Sequence, residues 1–383
     1  MSDLLMLQGD ARQLPLADGS VQTIVTSPPY WGLRDYGNAP AVWGGDPDCD
    51  HAWGPLLPPA QPGPGNATGA FSTSSLTNPA RQNSMVRGGD SGRHCECGGW
   101  VGCLGLEPTP DLFVEHMVEI GRELRRVLRD NGTLWLNLGD SYVHGGNGAR
   151  DAGRWPKQAR NAHGFRSVHA KANVPGLKPK DLVGIPWEVA LALRRDGWWL
   201  RSDIIWSKPN PMPESVTDRP TKAHEYLFLL TKAEHYFYDA DAIREPVAGT
   251  AHSRGNGVHP KSAPAGSGIK ANESFSAAIK DLVDERNKRS VWEIATQPYP
   301  GSHFATFPSA LTEPCILAGS AKGDWVLDPF AGSGTTALVA LEHQRRAILV
   351  DINHPYLQDL AAGRLMRVAR VPVVDHKPEG ALL

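Results

Sequence analysis

The chain has 383 residues, 40% of them hydrophobic, and a formal net charge of −2, which excludes a protein that attracts polyanions through its overall charge. Forty glycines and 32 prolines predict that much of the length is loop. No secretory signal and no apolar run near the roughly 20 residues of a membrane span are found. Five cysteines, an odd number, favour free or metal-bound thiols in a reducing, cytoplasmic protein.

The first predicted elements end in an unusual proline pair. Leu4–Leu7 predicts a strand that ends at Gly9-Asp10, and the β-branched run Val21–Val25 predicts a buried parallel strand. The chain continues as Thr26-Ser27-Pro28-Pro29-Tyr30-Trp31, and two prolines cannot extend a sheet because they lack the N–H donor. The break therefore falls at the strand's carboxyl end, where open α/β sheets bind ligands. From these residues alone, a surface turn with two aromatics explains the stretch equally well.

Residues 37–104 form a predicted insertion in which periodicity is lost. Cys49-Asp50-His51 lies near its start and His94-Cys95-Glu96-Cys97 near its end, with Cys103 close by. Such spacings suit a tetrahedral zinc site that ties together the ends of a long loop. The candidate ligands, of which zinc would take four, are Cys49, His51, His94, Cys95 and Cys97. Incidental thiols in a reduced protein are the alternative.

The middle of the chain alternates helices and strands. A helix is expected from the Thr109 N-cap to Asn131-Gly132, followed by a strand over Thr133–Leu138. A second helix is predicted over Asp181–Arg195. Strands follow at Trp198–Trp206 and Glu225–Leu230, and His235–Tyr238 is expected to complete a hairpin with the latter.

Residues 150–180 are one-sidedly basic, with eight Lys/Arg and one Asp. They are interpreted either as a solvated linker or as a cationic loop that closes on phosphates.

The C-terminal part predicts a βαβ nucleotide-binding unit. Strand Trp325–Leu327, the loop Asp328–Gly334, helix Thr335–Glu342 and strand Ala347–Val350 are followed by Asp351. Glycines let the loop pass close under a ligand, and an acid at the next strand end can accept both hydroxyls of a ribose. The loop lacks the Gly-x-Gly-x-x-Gly pattern of dinucleotide sites, which argues against NAD. Pro355 is expected to open a last helix, to about Arg370.

Thr26–Tyr30 together with Asp328–Thr335 resembles the motifs of the DNA amino-methyltransferases, which use S-adenosylmethionine. The catalytic motif precedes the cofactor loop, as in the permuted β group of that family. The resemblance covers roughly 1–40, 105–145, 180–240 and 290–365. It implies an α/β fold with a doubly wound, mostly parallel seven-stranded Rossmann-like sheet, an antiparallel hairpin at one edge and long loop insertions.

The resemblance also implies roles for individual residues. Ser27, Pro28, Pro29 and Tyr30 would form the catalytic motif, in which Tyr30 stacks on a base taken out of the helix. The residues expected at the cofactor are Asp10, Thr26, Phe304, Thr306, Phe307, Asp328, Pro329, Phe330, Gly332, Gly334, Thr335 and Asp351. Packing is nearly as good an explanation for Phe304 and Phe307. The residues expected at DNA are Trp31, Arg34, Arg154, Lys157, Arg160, Arg166 and Lys208. Packing explains Trp31 equally well.

A division of the chain follows from this resemblance. Residues 1–36 and 105–244 would be the catalytic part of the core, 291–370 the cofactor-binding part and 371–383 a tail. The 37–104 insertion, the 145–180 basic loop and a 245–290 target-recognition region would lie between or within them.

The expected substrate is double-stranded DNA, and the chain would act as a monomer or homodimer. Serine at position 27 is typical of enzymes that methylate N4 of cytosine, whereas Asp or Asn there usually accompanies N6 of adenine, which is the alternative. RNA-base and protein-glutamine methyltransferases normally carry the cofactor loop first. A catalytically inactive, zinc-containing DNA-binding protein is disfavoured by the intact motifs.

Overall fold

The computed structural model describes residues 3–33, 36, 38–55, 92–143, 176–246, 285–296, 308–353, 357–358, 365 and 373–374. In chain order the strands are β1 (Leu4–Gln8), β2 (Val21–Thr26), β3 (Ala41–Trp43), β4 (Arg93–His94), β5 (Trp100–Gly102), β6 (Leu128–Leu138), β7 (Trp199–Ser207), β8 (His224–Thr231), β9 (Glu245–Pro246), β10 (Glu285–Arg286), β11 (Val291–Glu293), β12 (Trp325–Asp328), β13 (Arg346–Asp351) and β14 (Val373–Val374). The helices are α1 (Pro110–Val127), α2 (Ile185–Arg195), α3 (Ser309–Gly319) and α4 (Thr335–Glu342).

Nine of these strands form the main sheet, in the order β11-β7-β8-β6-β2-β12-β13-β1-β14. Strand β8 runs antiparallel to both of its neighbours, and the other pairs are parallel. The mostly parallel α/β fold is therefore confirmed. Seven strands were expected, and within the described part of the chain the short edge strands β11 and β14 raise the number to nine.

The sheet is covered on both faces, as its sequence requires. All six residues of β2 are buried, which fits a parallel strand packed on two sides. Ile24 belongs to the apolar cluster beneath α1 and α2, whereas Val25, pointing the other way, belongs to the cluster beneath α3 and α4. This double winding leaves the carboxyl ends of the parallel strands as the open edge.

Two local predictions were wrong. Helix α1 begins at the predicted cap, since the Thr109 hydroxyl accepts from Leu112 N, but it ends at Val127 rather than near Asn131-Gly132. Leu128 is fully buried and pairs with Val21, so strand pairing outweighs helical propensity there. The predicted hairpin partner of β8 is also different, because β8 pairs with β6 and β7 while residues 235–238 form no strand.

The predicted 37–104 insertion contains ordered structure at both ends. Strands β3, β5 and β4 form a three-stranded antiparallel sheet. Strands β9 and β10 pair at the two ends of the 245–290 region. Val373 and Val374, within the predicted tail, pair with Met6 and Leu7.

Several predictions fall wholly or largely outside the described residues. They concern most of the 145–180 loop, the interior of the 245–290 region and most of the helix expected after Pro355, of which Leu357 and Gln358 are described as helical. Among the described helices, none combines the length and apolarity needed to cross a membrane.

Candidate active site and cofactor cleft

Two loops meet at the open edge of the main sheet. Strands β2 and β12 are parallel neighbours, with Ile24 opposite Leu327, so the loops that follow them emerge side by side. The hydroxyl of Thr26 donates to Asp328 Oδ1 at 2.7 Å, which joins the two loops directly. The sheet thus brings together two motifs that are 302 residues apart in sequence.

The loop after β2 holds Tyr30 in a network of polar groups. The Ser27 hydroxyl donates to the Tyr30 hydroxyl at 3.2 Å, and that hydroxyl lies 2.9 Å from both Asn137 Oδ1 and Glu225 Oε2. A Cβ added at Gly139 would come within 2.5 Å of the Tyr30 ring, so only glycine lets the ring lie this close. Burial, followed by the charge of Glu225, raises the pKa of Tyr30 well above its usual value. Tyr30 therefore stays protonated and can donate.

Two residues of this network, Asn137 and Glu225, were not predicted from the sequence. Asn137 is a buried polar residue near the end of β6, and its amide donates to Tyr226 O at 3.1 Å. Glu225 lies near the start of β8 and also binds Lys208. A buried asparagine in a core strand was a readable signal, because buried polar groups need a partner. Glu225 gave no comparable signal, since its neighbours become visible only once β8 is placed beside β6.

Lys208 was expected to contact DNA, and its placement differs. Its ammonium pairs with Glu225 and lies 4.2 Å from the centre of the Trp206 ring, with the side chain 17% exposed. In this arrangement Lys208 belongs to the network behind Tyr30.

The loop after β12 is shaped by glycines. Gly332 and Gly334 have φ values of 49° and 68°, in the left-handed region that favours glycine. Gly332 N donates to Asp351 Oδ2 at 3.2 Å, and Asn353 N donates to the other oxygen at 2.9 Å. The loop and the end of β13 are thereby tied together around the Asp351 carboxylate.

Both acids of this region are buried, which shifts their pKa values upward. Burial raises the pKa of Asp328 to about 7, although hydrogen bonds from Thr26, Thr336 and Phe330 N partly offset the shift. Burial also raises the pKa of Asp351. A cation bound beside either group would favour its charged form.

A cleft of about 1210 Å³, open to solvent, runs along these loops. The predicted site residues that line it are Asp10, Ser27, Pro29, Asp328, Pro329, Phe330, Gly332, Thr335 and Asp351. Asp10 is held by Arg12 through a 2.6 Å ion pair. Ala41, Trp43 and Gly102 of the small sheet form a further wall, and none of them was singled out from the sequence.

Other predicted residues lie beside the cleft or are not described. Pro28 is buried, Thr26 lies behind the cleft as the partner of Asp328, and Gly334 precedes α4. Phe304, Thr306 and Phe307, like Arg34, Arg154, Lys157, Arg160 and Arg166, fall outside the described residues.

Trp31 was expected either to contact DNA or to pack in the protein, and its placement agrees with packing. Its side chain is 3% exposed and belongs to the core beneath α1 and α2. The indole N–H donates to Glu107 O at 3.0 Å. The aromatic ring follows the catalytic loop in sequence but points into the protein, so it anchors that loop.

The predicted metal ligands assemble in part. Ligand atoms of Cys49, His51, Cys95 and Cys97 all lie within 4.8 Å of one another. His94, the fifth candidate, is exposed and is not a member of this cluster.

The doubly wound sheet, with a proline-rich and a glycine-rich loop on adjacent strands, defines a Rossmann-like methyltransferase fold. Residues 21–362 match the family model described as DNA methylase. The chain therefore belongs to the DNA amino-methyltransferases, the family of N4-cytosine and N6-adenine methylases.

Individual proteins similar to this chain include two type II methyltransferases and one solved structure. The chain is 38% identical over 365 residues to the type II methyltransferase M.Cfr9I of Citrobacter freundii, covering 94% of this chain and 87% of the relative. It is likewise 38% identical to the type II methyltransferase M.SmaI of Serratia marcescens, covering 94% and 90%. Among solved structures, the cytosine-N4-specific PvuII DNA methyltransferase aligns with a TM-score of 0.49 at 15% identity, covering 94% of this chain and 87% of that one.

Proposed function

We propose that this methyltransferase transfers a methyl group from S-adenosylmethionine to N4 of a cytosine that has been flipped out of double-stranded DNA. The observation that carries the proposal is that Ser27 and Pro29 line the same cleft as Asp351. A nucleoside cofactor and a target base can thus meet within one enclosure.

The residues of the cleft fit an adenosyl cofactor. Asp351, at the end of β13, would accept the ribose hydroxyls, and Asp10 would accept from the adenine amino group. Asp328 and Phe330 would face the cationic methionine end, where a buried carboxyl with a raised pKa gains from a nearby positive charge. When bound, S-adenosylmethionine supplies an electrophilic methyl group carried on a sulfonium.

The residues of the chain would contribute to methyl transfer by orienting the weakly nucleophilic amino nitrogen of the base toward the methyl group. The lone pair of an exocyclic amino group is delocalised into the base, so the enzyme must accept hydrogen bonds from the amino hydrogens. Ser27 Oγ donates to Tyr30 and keeps two lone pairs for this purpose. The Pro28 carbonyl is a second acceptor, held in place by the double proline. Tyr30 would stack on the base, and Asn137 and Glu225 would hold its hydroxyl.

The choice of cytosine rests on Ser27. A neutral hydroxyl acceptor at this position is typical of the N4-cytosine enzymes, which the Ser-Pro-Pro-Tyr motif resembles. N6 of adenine is the alternative, since the same acceptors suit any exocyclic amino group. Residues 245–290 would read the target sequence, and Arg34 with the 145–180 loop would contact phosphates. The enzyme would act as a monomer or homodimer in the cytoplasm of a bacterial or phage-infected cell.

Expression in a host that lacks DNA amino-methylation tests the proposal. Mass spectrometry of nucleosides should detect N4-methyldeoxycytidine, and methylome sequencing should place it at one short site. N6-methyldeoxyadenosine alone would overturn the choice of base but leave the reaction class intact. Unmodified DNA from a folded protein that does not bind S-adenosylmethionine in calorimetry would overturn the function.

A further inference from the structure

The small sheet of β3, β4 and β5 carries a cluster of metal-binding groups that methyl transfer does not use. Cys49 and His51 follow β3, whereas Cys95 and Cys97 lie between β4 and β5. The cluster therefore joins two segments that are 46 residues apart in sequence.

Two distances within the cluster match those between ligands of tetrahedral zinc, and all four ligand atoms lie within 4.8 Å of one another. Cys49 Sγ lies 3.8 Å from Cys95 Sγ, and His51 Nδ1 lies 3.4 Å from Cys97 Sγ. Bonds of about 2.3 Å to sulfur and about 2.0 Å to nitrogen, at tetrahedral angles, place two sulfurs about 3.8 Å apart and a sulfur and nitrogen about 3.5 Å apart. A disulfide needs sulfurs about 2.05 Å apart, so this pair is not one.

The backbone is shaped to close around these four groups. A Cβ at Gly45 would lie 2.7 Å from Gly99 Cα and 3.0 Å from Cys97 Sγ, so a side chain there would push the two segments apart. His51 N donates to Cys49 Sγ at 3.3 Å, and the His51 ring stacks on Trp53 at 4.7 Å. Both contacts orient ligands, as supporting groups around metal sites do.

The cluster is linked to the cofactor cleft through two tryptophans. Trp43 of β3 lines the cleft, and the Arg12 guanidinium, which holds Asp10, lies 3.9 Å from the centre of the Trp43 ring. Trp43 and Trp100 both stack on His116 of α1, with ring centres 4.5 and 5.2 Å apart. His116 in turn pairs with the buried Glu107 at 2.9 Å. The small sheet thus packs on α1, and its strand β3 faces the cleft.

We propose that Cys49, His51, Cys95 and Cys97 bind a structural zinc ion that fixes the small sheet as a wall of the cofactor cleft. Four protein ligands leave no open position, which is the arrangement of structural rather than catalytic zinc. Loss of zinc should therefore make the side of the cleft formed by Trp43 less rigid and weaken cofactor binding. This last consequence rests on the proposed use of the cleft for S-adenosylmethionine.

Metal analysis of the full chain, purified without an affinity tag that binds metal, is the primary test. We expect one zinc per chain, lost in Cys97→Ser. Zinc should be kept in His94→Ala, which changes an exposed histidine that directly precedes Cys95 but is not a member of the cluster. If Cys97→Ser does not fold, cobalt substitution of the wild-type protein should give the intense visible bands of tetrahedral thiolate coordination. Wild-type protein that folds without metal, or that contains a Cys49–Cys95 disulfide, would overturn the site.

Calorimetry on the same samples tests the link to the cleft. Chelation of zinc from the wild-type protein should weaken S-adenosylmethionine binding at least about tenfold. Unchanged affinity for S-adenosylmethionine after complete zinc removal would overturn the proposal that zinc fixes the small sheet as a wall of the cleft. Zinc-loaded protein that never binds S-adenosylmethionine would instead contradict the proposed function and leave the metal site intact, so the two failures can be told apart.

Discussion

The two loops at the open edge of the main sheet are built by opposite means. The loop after β2 is stiffened by Pro28 and Pro29 and fastened by side chains, with Tyr30 in contact with Asn137 and Glu225. The loop after β12 has two glycines with positive φ and uses backbone N–H groups, such as that of Gly332 on Asp351. The first presents fixed acceptors, and the second leaves room for a ligand.

If the cleft is used as proposed, this difference would separate methyl transfer from cofactor binding. Positioning a weak nucleophile requires groups that do not move, which rigid residues and side-chain hydrogen bonds provide. Holding a large cofactor requires close approach and charged acceptors, which glycines and carboxylates provide. Changes in the first loop should therefore affect turnover, and changes in the second should affect cofactor affinity.

The largest expected effect is in the first loop. Ser27→Ala combined with Tyr30→Ala removes an acceptor and the stacking ring, so methyl transfer should fall by roughly 10³-fold or more. The Kd for S-adenosylmethionine should change by less than about threefold. Turnover in single-turnover assays and calorimetric Kd measure the two effects separately. Tyr30→Phe, which keeps the ring, is the matched control and should retain more activity than Tyr30→Ala. A large loss of cofactor affinity in the double variant would contradict the division of labour.

A smaller effect, on cofactor affinity rather than on turnover, is expected in the second loop. On the proposed function, Asp351→Asn would lose a charge-assisted hydrogen bond to the ribose, which should weaken cofactor binding by about 10- to 100-fold. Turnover at saturating cofactor should remain close to that of the wild type, because Ser27 and Tyr30 are untouched. Glu342→Gln, an exposed acid at the end of α4, controls for the change in net charge. A fall in turnover with unchanged KM for the cofactor would reverse the assigned roles.

Cofactor binding should also depend on pH through Asp328, whose pKa is about 7. The cationic methionine end favours the carboxylate, so the Kd should fall as the pH rises from about 6 to 8, by at most about tenfold per unit. The stability of the ligand-free protein should depend on pH in the opposite direction. Because the pKa of Asp328 is raised in the folded state, its contribution to the free energy of unfolding is complete below about pH 4. That contribution is lost as the pH rises through about 7. Calorimetry in two buffers of different ionisation enthalpy should show net proton release on binding at pH 7. Zero or opposite proton exchange would exclude this coupling.

The smallest effect is expected at the base of the first loop. Trp31→Phe removes the indole N–H that binds Glu107 O, which should reduce the free energy of unfolding by about 1 kcal/mol in urea denaturation. DNA affinity should keep the same dependence on salt, since Trp31 is buried. A shallower salt dependence would restore the DNA-contact role that the structure argues against.

The sequence predicted best those features that local physics determines. A β-branched run followed by two prolines specified both β2 and its abrupt end, and the glycine positions after β12 specified the turn at Asp328–Gly334. Helix α1 was predicted to run too far because the burial of Leu128 depends on its distant partner Val21. Glu225 and Trp43 were missed for the same reason, because distant contacts place both residues. Glu225 is placed by strand pairing, and Trp43 is placed by the packing of the small sheet on α1. The inward direction of Trp31 likewise depends on Glu107, far along the chain.

The hydrogen bond between Thr26 and Asp328 also has a consequence in time. Its partners are separated by 302 residues, and the ribosome adds about 5 to 20 residues per second. The β2 loop therefore emerges roughly 15 to 60 seconds before the strand that completes its site exists. On the proposed function, the newly made chain would until then have acceptors for a base but no loop to hold a methyl donor. Catalytic competence arrives last, as a property of the finished chain.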